Sequence, residues 1–386
     1  MKKKVIIGIA SILLVISGCL FAMFNSGNRS YEVITNETEE RKMNTNALTM
    51  MLETGAGSGE YTVASDNTWP QDGYVFNERL SACENGSALT WDDTTKRVIV
   101  EANTVEKCYI YFDVAKPTLA STIEDLYTTD GENGLYLHDG IGDYTNATEE
   151  AGDNSYRFSG ANPNNYVCFG SDAASCQSNN LYRIIGVFDD DKNGNYQIKL
   201  IKATSYGSYA WDADNVNTWD GSTKPDIYTT LNETYYNTLG NEWQNIIAES
   251  TWEVGGMANS TTNTAKQYYA TELGNSDGNS ITYRAKIGLM YVTDYGYAAS
   301  GNHWTTALFN YESATDDNWL YLGDYEWTIS RGSGSTNFAF RVNNAGCVNY
   351  GYVSDSYAVR PSFYLESSVG ISGGTGTASD PYRLAV

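Results

Sequence analysis

Apolar and polar residues alternate with a period of two along much of this chain. Clusters of Gly, Asn, Asp and Ser separate the runs. This is the pattern of half-buried strands joined by turns. From about Ala47 to Val114 the segments LTMMLETGAGSGEYTV, GYVFN, ALTWDDTTKRVIVEA and CYIYFDV repeat it. They predict a small all-β, sandwich-like domain, with Trp91-Asp92-Asp93-Thr94-Thr95-Lys96 as a hairpin turn. LYRIIGVFDDDKNGNYQIKLIKATSY predicts a longer hairpin, strands 181–188 and 196–202 about a turn cluster. Further strands are predicted at Ile287–Val292, Trp327–Ile329, Phe338–Val342, Ala358–Val359 and Phe363–Leu365.

Helical spacing is rarer. Leu231, Tyr235, Leu239, Trp243, Ile246 and Ile247 predict one helix over Thr230–Ala248 with a core-facing stripe. A shorter one is predicted over Thr264–Glu272. Another is predicted over Pro117–Tyr127, with proline in its first turn and Ile123, Leu126 and Tyr127 on one side. The fold class expected is therefore α+β and β-rich.

The chain opens with Lys2-Lys3-Lys4 and the apolar run VIIGIASILLVISGCLFAMF, so residues 1–30 read as a signal or membrane anchor. Two readings stand side by side. Ile16-Ser17-Gly18-Cys19 is similar to a bacterial lipoprotein box, with lipid on Cys19, and Val5–Phe24 is also long enough to span a bilayer as a helix. Both place the remainder outside the cytoplasm, tethered to the membrane through the N-terminus. Residues 31–46 read as a solvated stalk and 47–115 as the small β domain. Residues 116–164 read as a linker that wraps the next domain or holds short strands such as Gly134–Leu137 and Ser155–Phe158. Residues 165–386 form the large domain.

The 24 basic and 47 acidic residues leave a formal net charge of −23, which disfavours nucleic acid as a partner. No cofactor is expected, and Ca²⁺ is the one ion with a candidate site. Asp189, Asp191, Asn193 and Gly194 match the first half of a calcium loop, but the twelfth position is Leu200 instead of a bidentate glutamate. Asn193-Gly194 is equally a tight-turn dipeptide. Asp139, Asp143, Glu149, Glu150 and Asp153 read either as a hard-cation set or as a solvated acidic loop. Only His138 and His303 occur, which argues against zinc. Cys83 with Cys108 and Cys168 with Cys176 read as disulfides within their domains, the first contributing roughly 3 kcal/mol. Cys347 is left over.

Candidate chemistry concentrates near the C-terminal end. Ser333, Ser335, Asn337, Asn343, Asn344, Asn349, Tyr350, Tyr352, Ser354, Asp355 and Tyr357 form the Tyr/Ser/Asn palette of recognition loops. They are the candidate contacts for an extracellular glycan or protein ligand. The same residues also suit a polar surface hairpin. Trp211, Asp212, Asp214, Trp219 and Asp220 read either as a carbohydrate site or as buried tryptophans anchoring an irregular loop. No nucleophile elbow, phosphate loop, H-E-x-x-H or histidine cluster is present. A binding module is therefore expected over an enzyme. The alternative is an extracytoplasmic hydrolase acting on glycans or peptidoglycan through paired carboxylates, with Glu326 as the candidate acid.

Residues 165–386 resemble the bacterial form of the C-type-lectin-like fold, shared with formylglycine-generating enzymes and with surface domains of gut Firmicutes. The likeness is carried by Trp327-Thr328-Ile329-Ser330-Arg331, Phe338-Ala339-Phe340-Arg341, a Gly-centred polar loop, Val359-Arg360-Pro361, Phe363-Tyr364-Leu365 and the closing GTASDPYR. It implies a mixed domain with few regular elements and a C-terminal ligand-binding face. In some proteins of this fold a diversity-generating retroelement varies that face, and the scatter of Asn, Tyr, Ser and Asp over 333–357 looks like such a variable region. Formylglycine-generating enzymes carry paired catalytic cysteines there. Here only Cys347 is present, so the likeness does not extend to that activity. Arg331, Arg341 and Arg360 read as buried scaffold arginines satisfying loop carbonyls more than as ligand contacts.

Overall fold

A computed structural model describes the strand segments 25–26, 29–30 and 32–35, and residues 48–64, 73–92, 97–102, 107–140, 149–173, 175–189, 196–220, 222–274 and 281–385. Cys19 and both anchor readings lie outside these residues, as do Asp143, Asp191 and Asn193. Among the described residues no helix is long and apolar enough to cross a membrane. The chain divides into two compact units, Met1–Lys116 and Pro117–Val386.

The described residues of the first unit form two larger sheets and the small antiparallel pair Asn25–Ser26 with Arg29–Ser30. In one, Leu48–Glu53 runs parallel to Cys108–Val114, which also pairs with Tyr74–Phe76 and Ala82–Cys83, and Tyr61–Val63 adds the outer edge. In the other, the hairpin Ala88–Asp92 and Arg97–Ala102 is extended by Glu32–Thr35. Alternation sends Val98 and Val100 from one sheet and Ile110 and Phe112 from the other into a shared core. Trp91 meets Phe112 edge-on at 5.1 Å. Cys83 and Cys108 face each other in register and are bonded. Glu53 closes the turn after its strand by accepting from Gly59 N (3.0 Å) and Val114 N (2.9 Å).

The second unit begins at Pro117, and residues 117–164 belong to it. Of the two readings of 116–164, a wrapping linker or a segment holding short strands, the short strands are present. The segment supplies the helix Leu119–Glu124, capped by Thr118 (the proline stands one residue earlier), and the strands Leu135–Leu137 and Tyr156–Phe158. These strands join an eight-stranded sheet of order Leu135–Leu137, Tyr156–Phe158, Leu181–Phe188, Tyr166–Cys168, Tyr382–Ala385 and Gly370–Gly373. Gln197–Lys202 pairs antiparallel with Leu181–Phe188, as the hairpin pattern predicts, and then with Ser362–Tyr364. Cys168 and Cys176 form the second disulfide. Gly186 sits at a bulge where an added Cβ would lie 2.4 Å from Tyr156 O, so the neighbouring strand leaves room only for glycine.

A second sheet of five strands has the order Gly207–Ala210, Ser356–Val359, Glu326–Arg331, Phe338–Val342 and Val348–Tyr352. Between the sheets and the short helices lies a core with Trp211, Trp219, Trp252, Trp304 and Trp327 all fully buried. Trp211 and Trp219 thus anchor the loop they sit in, and the carbohydrate reading of that segment is set aside. Trp211 Nε1 donates to Thr328 O and Trp327 Nε1 to Tyr209 O.

Two predicted elements differ. The helix over Thr230–Ala248 is instead a short α-helix Asp226–Thr229, a π-turn Thr230–Tyr235, a 3₁₀ turn Tyr236–Thr238, an extended Leu239 and a fresh helix Asn241–Asn245. Leu239 and Gly240, both extended, make the break. The Thr238 hydroxyl bonds Tyr235 O at 2.6 Å, satisfying a carbonyl of the ending turn. Leu231, Tyr235, Trp243 and Ile247 are nevertheless all buried, so the stripe reported burial and not continuity. The predicted strand Ile287–Val292 makes a single bridge at Gly288 and then turns into the helix Val292–Tyr297. Asp294 folds back onto Tyr291 N at 2.8 Å, and the Glu272 carboxylate accepts from Val292 N and Thr293 N (2.9 Å each), which starts a helix where the apolar run suggested a strand. The Thr264–Glu272 prediction is matched by Ala265–Glu272, with Thr264 and Gln267 forming a capping box.

His138 is wholly buried beside Tyr297 and Trp304 (ring centroids 4.7 and 4.9 Å) and accepts from Ala151 N at Nδ1 (3.1 Å). Burial, reinforced by the Arg157 charge, pushes its pKa down to about 3. Asp153 is held at about 2: its burial alone would raise it, but the Arg157 guanidinium, His138 and Ser155 outweigh that. Both folded values lie below the unfolded ones, so the unfolded chain binds the extra proton as pH falls. Stability of the second unit should therefore decline from about pH 6.5 to about 3 through His138, and from about 3.8 to about 2 through Asp153, by at most about 1.4 kcal/mol per pH unit for each proton. Urea unfolding followed by tryptophan fluorescence at stepped pH measures it, and His138→Gln should flatten the slope.

Candidate functional site

The five-stranded sheet places one side chain from each strand in a row across one face. Register sets Tyr209 opposite Tyr357, Trp327 opposite Arg341, and Arg341 opposite Asn349, while Glu326 opposite Ala358 brings Tyr325 and Trp327 to either side of Tyr357. Trp327 is the buried floor of this row, 4.6 Å from the Tyr357 ring. Tyr209, Tyr325, Tyr357, Arg341 and Asn349 are half-buried. Tyr325 and Tyr357 stack at 5.3 Å, and the Arg341 guanidinium lies 4.3 Å from the first ring and 4.8 Å from the second. A cation over two ring faces is attracted by both quadrupoles, by about 0.5–1 kcal/mol per ring at such exposure. Arg341 Nε donates to Tyr350 O at 3.0 Å, which fixes the stem. Gly351 lets the two side chains cross: an added Cβ would lie 2.7 Å from Tyr357 Cε2 and 2.8 Å from Arg341 Cδ. Tyr357 Oη donates to Asp355 Oδ2 (2.7 Å); burial first, and then this bond, push the phenol up to about 12, so it stays protonated. Asn349 Oδ1 is buried without a hydrogen-bond partner.

The candidate contact residues fall into separate groups. Asn349, Asp355 and Tyr357 belong to the row. Tyr350 and Tyr352 point to the opposite face, where both pack on Phe338 (5.5 and 4.6 Å) and Tyr350 Oη donates to Met257 O. Tyr352, 51% exposed, is the most open aromatic of the set, at the rim. Asn343 and Asn344 lie in the turn joining the last two strands. Asn343 Oδ1 accepts from Ala345 N and Cys347 N, so this side chain builds the turn, while Asn344 is exposed. Ser333, Ser335, Asn337 and Ser354 lie at the other end of those five-residue strands, about 17 Å away at 3.3 Å per residue. Ser335 Oγ donates to Asn337 Oδ1 (2.6 Å) and Ser354 Oγ to Asn215 Oδ1 (3.2 Å). The structure therefore brings three of the eleven together and distributes the rest. Tyr325, Tyr209 and Arg341, absent from that set, complete the row. The alternation in Phe338-Ala339-Phe340-Arg341-Val342 was the available signal, because it sets Arg341 on the face opposite the phenylalanines.

The supports of this sheet are polar and buried. Arg360 grips Glu326 with two bonds (2.6 and 2.8 Å) and donates to Leu320 O at 2.6 Å, and both side chains are sealed from solvent. Burial pushes the Glu326 carboxyl up, but both its oxygens are engaged and it opens onto no cleft. The proposal of Glu326 as a catalytic acid is corrected accordingly. Arg331 Nε donates to Val254 O, so Arg331 and Arg360 are scaffold arginines, and Arg341 combines that role with a place in the row. Cys347 is free, and its thiol donates to Glu312 Oε2 at 3.0 Å. Burial and that carboxylate raise its pKa, which keeps it a thiol. Among the described residues no group of three His, Cys, Asp or Glu is placed to hold a metal ion. No family model, curated protein or solved structure matches the chain.

Asn217 fastens the loop before the central hairpin. Its Nδ2 reaches Gly332 O, Ser335 O and Phe338 O at 2.7–2.8 Å, and its backbone N donates to Thr336 O. Asn217→Ala should remove the side-chain donor from Gly332 O and Ser335 O, while Phe338 O keeps its bond from Gly332 N, and lower unfolding free energy by about 1–3 kcal/mol. Denaturant unfolding reads that loss, and amide exchange should accelerate first over 332–338.

Proposed function

We propose that the second unit is a recognition domain, held outside the cell by the N-terminal anchor, and that it binds a glycan or protein partner on the tyrosine–arginine face. The observation that carries this is the half-exposed row Tyr209, Tyr357, Tyr325, Arg341 and Asn349 on a buried tryptophan floor. Rigid tyrosines offer contact area at low entropic cost. The arginine and amide add directional donors and acceptors at the centre. The rim residue Asp355, bonded to Tyr357, extends the face. Two disulfides suit an oxidising compartment. The C-type-lectin-like resemblance suits a C-terminal face that varies between relatives while its framework is kept. The hydrolase reading loses its named acid to the Glu326–Arg360 pair.

The test is binding of the full chain, in detergent or lipid discs, to arrays of glycans and to surface proteins of neighbouring cells. Arg341→Ala and Tyr357→Ala should each weaken binding about tenfold or more, equivalent to about 1.4 kcal/mol. Tyr350→Phe, on the opposite face, should leave it unchanged. Equal loss in all three, or retention in all three, would remove this face from the reading.

A further inference from the structure

We propose that Lys199 and Asp294 are joined by a side-chain amide cross-link, formed within the folded second unit by loss of water. The observation is a juxtaposition. Lys199, on the strand Gln197–Lys202, is 0% exposed, and Asp294, in the first turn of Val292–Tyr297, is 2% exposed. Lys199 Nζ stands 2.6 Å from Asp294 Oδ2. Four rings enclose the amine: Tyr291 at 4.2 Å, Trp252 at 5.2 Å, Tyr364 at 5.3 Å and Phe188 at 6.0 Å to their centroids. The backbone pins the carboxylate, because Oδ2 also accepts from Tyr291 N.

A full ion pair in such surroundings is costly, since two charges are taken from water. Proton transfer along the 2.6 Å contact discharges both groups at once. It leaves a neutral amine against a neutral carboxyl, the two species that condense. The geometry also holds the reactants together, replacing an encounter by a fixed approach. The second oxygen has a charge stabiliser of its own. Arg157 Nη1 stands 3.6 Å from Asp294 Oδ1 and makes no hydrogen bond, while its Nη2 is tied to Asp153 at 2.6 Å. The guanidinium is thus aimed at the oxygen on which negative charge grows as the amine attacks.

The step balances without any other reagent. One ammonium proton passes to Oδ2. Nζ then bonds to Cγ, and charge collects on Oδ1 facing Arg157. A second nitrogen proton moves to Oδ2, the Cγ–Oδ2 bond breaks and water leaves. The third proton remains on the new amide nitrogen. The link would tie the long hairpin to the helix across 95 residues of sequence.

Mass spectrometry of the reduced, denatured full chain decides the matter whether or not variants fold. The wild-type chain should be lighter than its sequence mass by one water, while Lys199→Met and Asp294→Ala, carrying the same processed N-terminus, should match theirs. Trypsin should release a branched peptide joining Asn193–Lys202 to the fragment that begins at Ile287, with Lys199 uncut. A wild-type chain at full mass with two linear peptides would overturn the cross-link and leave an ion pair only.

Discussion

Asp294 gathers groups from three elements of the second unit. Its own helix start donates through Tyr291 N, the long hairpin reaches it through Lys199, and the neighbouring strand Tyr156–Phe158 approaches through Arg157. Arg157 is in turn held by Asp153 and Ser155 Oγ, and its guanidinium lies 4.7 Å from the Phe188 ring and 5.3 Å from that of Tyr297. A charge buried this deeply is tolerable only if every partner is in place. Removing one member leaves the others uncompensated, typically at about 3–5 kcal/mol. The network therefore fixes how the helix, the hairpin and the strand Tyr156–Phe158 fit together more than it adds net stability. The irregular segments between them are free to be irregular because these contacts, and not regular secondary structure, determine their position.

The same device recurs in the five-stranded sheet. Glu326 and Arg360 join its central strand to the segment that follows Ser356–Val359, and Asn217 bonds three carbonyls of the loop before Phe338. Buried tryptophans whose indole N–H groups reach backbone carbonyls add to this, Trp211 to Thr328 O and Trp327 to Tyr209 O in this sheet, and Trp252 to Ala285 O, Trp304 to Ala299 O and Trp319 to Phe158 O elsewhere in the unit. Each fills a large volume and gives one backbone carbonyl a donor. A sheet supported in this way from behind presents its front face in one arrangement, and a recognition surface needs that preorganisation.

How much of this the residues announced depends on the range of the interaction involved. The long hairpin, the first unit's strands from Leu48 onward, both disulfides and the helix over Thr264–Glu272 follow from patterns a few residues wide, and each was legible. Glu32–Thr35 was not, since the residues read as a solvated stalk supply a strand beside Arg97–Ala102. The break at Gly240 was not. An apolar stripe at helical spacing records which side is buried, and two short helices offset by an extended Leu239 bury the same side chains as one long helix. The helix at Val292 was hidden for a related reason. Its start depends on Glu272, distant in sequence, supplying the carboxylate that its first N–H groups require. The candidate site was legible in composition and not in arrangement. Neighbours in sequence along Asn349-Tyr350-Gly351-Tyr352 alternate between faces, so a cluster in the chain becomes two clusters in space. Tyr209 and Tyr325 joined the row through cross-strand register, which no local pattern encodes.

Tyrosine is abundant here, 31 residues of 386, and abundance alone does not mark a binding surface. Tyr268, Tyr295, Tyr297 and Tyr311 are as buried as the tryptophans. Their hydroxyls serve carbonyls: Tyr295 reaches Gly346 O, Tyr297 reaches Glu149 O and Tyr311 reaches Gly296 O. These are structural tyrosines, chosen where a large ring must end in one hydrogen bond. The residues of the row differ in that their rings remain partly open. Tyr357 bonds Asp355, itself a rim residue, while Tyr350, three strands away and on the other face, is bound to Met257 O like the core tyrosines. The distinction between framework and face is thus made by which side of one pleated sheet a residue occupies. A face of this kind can change its side chains without disturbing the network behind it, because the two share a backbone but few side-chain contacts.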